Sequence, residues 1–201
     1  AADFNGDGRL DVAFTESSAN TVAVLLNDGL GTFSLAGRYQ VARNNNYIVA
    51  DDMDGDGRPD LVVAHDLDSN LWVLWNDVDS YGRPNFSSHT VVPLAPGSYP
   101  NGMATAYFDR DRYKDLAVAN GFGDSVSVLL NLGNRSFAAQ VAYPVGDGPG
   151  SVSAADIDGD GRLDLVVANW FPNYITVMIG RGDGSFQEAV QLSGAASDIY
   201  A

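Results

Sequence analysis

Four carboxylates spaced to hold one cation stand in the nine residues Asp156-Ile157-Asp158-Gly159-Asp160-Gly161-Arg162-Leu163-Asp164. Side-chain oxygens at the first, third, fifth and ninth places, Asp156, Asp158, Asp160 and Asp164, can converge on a single ion. The carbonyl of Arg162, at the seventh place, adds another oxygen. Glycines at the fourth and sixth places allow the tight turn, through positive φ, that brings those oxygens together. A ligand set made only of oxygen argues for calcium over zinc or copper, since no nitrogen or sulfur is offered.

The loop recurs. Asp52, Asp54, Asp56, Arg58 and Asp60 fill the same places in a second complete copy. Asp3, Asn5, Asp7, Arg9 and Asp11 fill them in a third, where the third place is a neutral Asn. A fourth copy, at 107–115, keeps Asp109, Asp111 and Asp115 but has Tyr107 at the first place and Arg110 and Arg112 where the glycines belong. The expectation is three calcium sites and a fourth, degenerate one that holds the ion weakly or not at all. One Asp/Gly-rich stretch could be only a solvated turn; three intact copies at matching places argue against that.

These loops are positioned by a repeat. The ninth-place aspartates Asp11, Asp60, Asp115 and Asp164 are 49, 55 and 49 residues apart, a period of about 50. After each loop comes a β-rich run, at 10–15, 61–65, 116–120 and 165–169, and after a turn a second, at 21–26, 71–75, 125–130 and 174–179. A Gly-rich hairpin ending in Phe follows at 27–33, 131–137 and 180–186, with a longer version at 76–86, and a third strand leads away from it. A fourth strand precedes the next loop, as in Ser151-Val152-Ser153-Ala154-Ala155, whose small residues suit close packing near a central axis. Helical periodicity is absent, so the chain reads as all-β, with four-stranded units of the size of a β-propeller blade. The repeats run approximately over 1–45, 46–100, 101–149 and 150–196, with 197–201 as a strand completing the first blade.

The loop, the apolar strand after it and the hairpin from Asn27 to Phe33 resemble the FG-GAP or VCBS repeat family, which includes the N-terminal β-propeller of integrin α chains and many secreted bacterial proteins. The likeness extends over essentially the whole chain. It implies calcium in the loop joining the first and second strands of each blade, and it implies no particular partner. Family members more usually have about seven blades. Three outcomes stay open here: a four-bladed ring, half of an eight-bladed ring made by two chains, or part of a larger propeller. The chain starts inside a motif, so it reads as a processed or excised piece. A terminal strand at 199–201 is expected to pair with 10–15, because an unpaired strand would be a sticky edge.

With 26 acidic against 11 basic residues, the net charge of -15 argues against nucleic acid and anionic membranes as partners. Eleven of those acids are in the three intact loops, so the metal-free clusters repel themselves and metal binding is expected to couple to folding. The absence of cysteine removes disulfide and thiol chemistry, and no stretch approaches the roughly 18 apolar residues of a membrane-spanning helix.

On the face opposite the calcium loops, where such propellers usually meet partners, the most unusual content is Trp170, Phe171 and Tyr174. Exposed, these rings could stack on a sugar or anchor a protein; otherwise they pack between blades. Tyr47, Tyr99, His65 and Asp66 would share that face. Arg181-Gly182-Asp183 matches the tripeptide that integrins bind but fills a hairpin turn, where it is read as fortuitous. Asn85 and Asn134 fit the glycosylation pattern in hairpins expected to be exposed. No Gly-x-Ser-x-Gly motif, phosphate loop or His-rich set appears, and neighbouring aspartates are accounted for as metal ligands, so the chain is expected not to be an enzyme.

The function expected is a calcium-stabilised, non-catalytic extracellular binding module for a glycan or protein. The alternatives are a structural subunit joined to copies of itself through terminal strands, or an accessory domain of a secreted enzyme. Extracellular modules bind calcium with dissociation constants of about 10⁻⁴ to 10⁻³ M, which fills sites outside a cell and empties them in cytosol.

Overall fold

A computed structural model describes residues 1–171 and 174–192. Among these there is no helix, and none long and apolar enough to cross a membrane. Four antiparallel sheets follow one another along the chain. The first contains β1 (Val12–Glu16), β2 (Thr21–Asn27) and β3 (Phe33–Gln40). The second contains β4 (Asn45–Asp51), β5 (Asp60–His65), β6 (Asn70–Val78) and β7 (Pro84–Pro93). The third is built from β8 (Pro100–Ala106), β9 (Asp115–Asn120) and β10 (Ser125–Leu129), with a small hairpin of β11 (Asn131–Gly133) and β12 (Ser136–Phe137) before its outer strand β13 (Val141–Pro144). The fourth contains β14 (Asp147–Ala155), β15 (Asp164–Phe171), β16 (Tyr174–Met178) and β17 (Val190–Leu192).

Strand order within each sheet is sequential, and the carboxylate loops at 52–60, 107–115 and 156–164 join the first strand of a sheet to the second. The first sheet has three strands among the described residues; the expected pairing of 199–201 with β1 lies outside them.

Packing of successive sheets explains why the second strands read as apolar runs rather than alternating ones. In β5, Leu61 and Val63 join a core with Phe4, Val22 and Val24 of the first sheet's repeat. Val62 and Ala64 join another with Met103, Leu116 and Val118 of the third sheet. A third core combines Ala117, Ala119, Val126 and Val128 with Val152, Leu165 and Val167. Both faces of an inner sheet are therefore covered, and each core seals one sheet-to-sheet boundary.

The first strands approach closely where the small residues suggest they would. A Cβ on Gly102 of β8 would stand 2.7 Å from the Gly150 carbonyl oxygen and 3.0 Å from Ser151 Cα of β14. Side chains there would push the sheets apart. The hairpin at 76–86 differs from its sequence reading: β6 and β7 extend into it, pairing Asp77 with Asn85 and Val78 with Pro84. Its shorter turn is closed by Asp79, whose carboxylate accepts from the Tyr81 and Arg83 amides.

Candidate metal centre

The three intact loops share one hydrogen-bond plan. The first-place carboxylate accepts three backbone N–H groups: Asp52 from Gly55, Asp56 and Gly57 at 2.8, 3.1 and 2.9 Å, and Asp156 from Gly159, Asp160 and Gly161 at 2.8, 3.1 and 2.9 Å. Asp3 does the same with Gly6, Asp7 and Gly8. The third-place side chains Asn5, Asp54 and Asp158 accept from the fifth-place amide, and Asp7, Asp56 and Asp160 accept from the amide of Arg9, Arg58 and Arg162. Gly55 and Gly57 take φ of 78° and 85°, and Gly159 and Gly161 78° and 80°, the left-handed conformation that the spacing requires.

The carboxylates come together. Single oxygens of Asp52, Asp54 and Asp56 lie within 4.8 Å of one another, as do those of Asp156, Asp158 and Asp164. With oxygen donors only and a tight loop, these residues fit a hard divalent cation such as calcium. Bound there, the ion would supply charge neutralisation and a rigid strand connection.

The ninth-place aspartate does more than the spacing revealed. Asp11, Asp60, Asp115 and Asp164 are all buried, and each holds two backbone amides with its two oxygens. Asp60 accepts from Met53 at 3.0 Å and Asn76 at 2.8 Å; Asp164 accepts from Ile157 and Gly180, both at 2.8 Å. It thus clamps the start of the loop to the end of the second strand's partner. Burial pushes the Asp60 carboxyl up to about 7 despite those two amides, and the nearby Asp54 and Asp56 charges add to the rise. A cation in the loop opposes both effects.

The degenerate loop keeps the clamp and loses the cage. Asp115 accepts from Phe108 and Asn131, both at 2.8 Å, and burial raises its carboxyl to about 6. Asp109 and Asp111 each accept a single loop amide. Arg110, with φ of 64°, takes the glycine conformation and donates to the Gly161 carbonyl of the next loop at 3.0 Å. Lys114 reaches Asp51 at 3.1 Å, and the Arg112 guanidinium lies over the Tyr113 ring. Arg110, Arg112 and Lys114 thus bring cations to places that hold glycine, leucine or proline in the other loops, and Tyr107 stands where the first carboxylate belongs.

Two sets of residues were missed in the sequence. Asn27, Asn76 and Asn131 each stand 16 residues after a ninth-place Asp. Asn76 Nδ2 donates to the Phe4 carbonyl at 3.0 Å and Asn131 Nδ2 to the Met53 carbonyl at 2.7 Å, so a hairpin of one sheet grips the loop of the sheet before it. In the fourth sheet the Gly184 amide does this, donating to the Phe108 carbonyl at 3.0 Å. Arginine at the seventh place pairs with the fifth-place Asp in all three intact loops, and Arg9 and Arg58 also donate through Nε to the Asn27 and Asn76 carbonyls, each at 2.9 Å. The constant spacings were the available signal. Arg135 adds a bond that no spacing shows: it crosses to the second loop, 2.9 Å from Asp54 and 2.7 Å from Asp77, and holds the Asp77 carboxyl below the usual range.

On the opposite end of the sheets, Trp170 and Phe171 are 55% and 67% exposed. A Cβ on Gly150 would stand 2.3 Å from Trp170 Nε1, one on Gly148 3.2 Å from Phe171 Cδ2, and one on Gly146 1.6 Å from the Tyr174 hydroxyl. Glycines at 146, 148 and 150 thus each leave room for part of one of these side chains. At the same end, Phe122 is 78% exposed and meets Tyr99 edge-on at 4.7 Å. His65 is fully buried and does not share this face; burial holds its imidazole below the usual range, with Nδ1 3.3 Å from the Arg43 carbonyl oxygen. Tyr47 is part-exposed, and Asp66 accepts from Asn46 at 2.6 Å. Asn134 is exposed at a hairpin tip, whereas Asn85 is half-buried within β7. Arg181, Gly182 and Asp183 form a turn closed by the Ser185 amide on the Asp183 carboxylate at 3.0 Å.

The model of the FG-GAP-like repeat matches residues 3–51, 52–118, 108–167 and 156–201. The chain belongs to the FG-GAP-like repeat family. No curated protein matches it. Among solved structures it is similar to virginiamycin B lyase from Staphylococcus aureus, at 14% identity and a TM-score of 0.62, covering 93% of this chain and 53% of that one. It is also similar to BBS1N, solved in complex with ARL6DN, at 17% identity and a TM-score of 0.61, covering 95% and 55%. A third likeness is to an Agrocybe aegerita lectin that recognises non-reducing terminal N-acetylglucosamine, at 24% identity and a TM-score of 0.58, covering 94% and 50%. These likenesses, to propeller-like structures, concern the fold. The chain spans about half the length of each of these proteins.

Proposed function

We propose that this FG-GAP chain is a calcium-stabilised, non-catalytic binding module that works outside the cell and recognises a glycan through the end of its sheets opposite the metal loops. The observation that carries the reading is the exposed indole of Trp170, whose ring lies against Gly150, with exposed Phe171 next to it in the chain. A ring packed against backbone offers apolar surface for a sugar face at little entropic cost. The Agrocybe aegerita lectin provides a precedent of the same fold for sugar recognition.

Calcium is the expected ion at Asp3/Asn5/Asp7/Asp11, Asp52/Asp54/Asp56/Asp60 and Asp156/Asp158/Asp160/Asp164, with a structural role. The two histidines support a non-catalytic reading: His65 is buried, and His89 is stacked on Trp72 at 4.0 Å. Glycan-array binding in calcium tests the module. Binding that disappears in Trp170→Ala while the melting temperature is kept supports the reading; binding unchanged in that variant removes this site.

A further inference from the structure

Arg135 reaches into the second metal loop from the next sheet. It stands in the hairpin of β11 and β12, two places before Phe137. The hairpins at 27–33 and 180–186 have Gly31 and Gly184 at that place, with φ of 89° and 80°. Arg135 takes the same left-handed conformation, with φ of 60°, although a side chain makes it costly. Strain of this kind persists where the surrounding contacts hold it.

Those contacts join a metal loop to a sheet boundary. Nε and Nη2 of Arg135 both stand 2.9 Å from Asp54 Oδ2, and Nη2 also donates to Asp77 Oδ1 at 2.7 Å. The guanidinium lies over the Trp75 ring, 4.9 Å from its centroid, and the Arg135 carbonyl accepts from the Thr90 hydroxyl at 3.2 Å. Trp75 is buried between the second and third sheets. Asp54 fills the third place of the second loop, and its Oδ1 accepts from the Asp56 amide at 3.2 Å. Both oxygens of this carboxylate are therefore held.

Arg135 has two opposed effects on an ion in that loop. By fixing Asp54 near Asp52 and Asp56, it lowers the entropy lost when the ligands are ordered. By bringing a positive charge to a ligand carboxylate, it repels the ion. The Asp54 side chain is 11% exposed, so solvent screens that repulsion incompletely. Repulsion wins: a divalent ion feels a unit charge roughly twice as strongly as another unit charge would, whereas ordering one short side chain gains little.

We propose, on the calcium reading of the loops, that Arg135 is a positioning residue of the second loop. It weakens calcium binding there and, through Asp54, Asp77 and Trp75, holds the boundary between the second and third sheets when the ion is gone. Without the ion, the carboxylates of Asp52, Asp54 and Asp56 face one another, and the guanidinium offsets part of their repulsion. By linkage, a variant that binds calcium more tightly here also depends more on calcium for its stability.

Calcium titration calorimetry of the 201-residue chain, with thermal melting in calcium and in chelator, tests this. Arg135→Gln keeps a donor for Asp54 and removes the charge. It is expected to tighten one calcium site about tenfold and to lower the melting temperature more in chelator than in calcium. Arg135→Lys keeps the charge and is expected to bind within about twofold of the parent. Asp77 is 39% exposed and stands outside the loop; Asp77→Asn leaves the guanidinium charge to Asp54 alone and is expected to weaken the same site about threefold. In an Asp52→Ala background, which removes the second site, Arg135→Gln is expected to leave the remaining sites unchanged. A role confined to packing would lower stability equally in calcium and in chelator and leave every affinity alone, and that result overturns the proposal. So does a weaker site in Arg135→Gln or a tighter one in Asp77→Asn. A parent chain that binds no calcium overturns the reading of the loops and the proposal with it, whereas a parent that binds calcium with affinities unchanged in Arg135→Gln overturns the proposal alone.

Discussion

Replacing Asn131 by alanine separates the latch between sheets from the metal. Asn131 is buried, donates to the Met53 carbonyl at 2.7 Å and the Lys114 carbonyl at 3.0 Å, and accepts from the Gly133 amide at 3.1 Å. A hydrogen bond contributes about 1 kcal/mol net, but a buried group left without its partner costs about 1 to 3 kcal/mol. The Met53 carbonyl belongs to the second kind, since Met53 is fully buried at the boundary between the second and third sheets. The expected loss is therefore about 2–4 kcal/mol. For a chain of 201 residues that lowers the melting temperature by about 5–15 °C. Asn131→Asp is expected to be worse at neutral pH: it keeps an acceptor for Gly133 but sets a carboxylate against two carbonyl oxygens. Urea denaturation of the three proteins, with and without calcium, measures both losses. A loss under about 0.5 kcal/mol for Asn131→Ala, or an aspartate tolerated better than alanine, would refute the latch.

In calcium, Asp156→Ala is expected to remove one metal equivalent and lower the melting temperature, while Asp109→Ala leaves the metal count unchanged; titration calorimetry reads the count, and the opposite ranking overturns the distinction between intact and degenerate loops. Gly102→Ala is expected to cost about 1–3 kcal/mol, because its Cβ meets the Gly150 backbone at 2.7 Å, and a variant as stable as the parent would mean that the first strands can part freely. Burial holds the His65 imidazole below its ordinary value, so the unfolded chain takes up the proton first on acidification. That contribution to stability is full above about pH 6.5 and is lost as pH falls through the folded value. His65→Leu is therefore expected to lose less stability than the parent between neutral and mildly acidic pH in denaturation curves; equal losses would contradict the buried, neutral imidazole.

Much of the fold was legible because its units repeat. The ninth-place aspartates set the period, and the apolar runs after them correctly gave the second strands; burial on two faces explains why Leu61 to Ala64 shows no alternation. The glycines at 55, 57, 159 and 161 announced the positive φ that the loops adopt. What the spacing hid was double duty. Asp60 and Asp164 read as ligands alone, yet each clamps two amides, a role visible only once the strand after the turn is in place. Asn76 and Asn131 read as ordinary hairpin residues, since their partners are 72 and 78 residues away. His65 read as a surface residue because it ends a strand, whereas the Arg43 segment and Trp72 cover it. The glycines at 146, 148 and 150 gave no hint of their aromatic cover, because the register of β14 on β15 decides it.

The central proposal is that three loops of this chain hold calcium and that the fourth holds it weakly or not at all. Counting bound ions by native mass spectrometry, in calcium and after chelation, tests it most directly. The account predicts three calcium ions per chain, lost on chelation together with a fall in melting temperature. A chain that carries no calcium under saturating conditions, or that melts at the same temperature with and without it, would contradict the account.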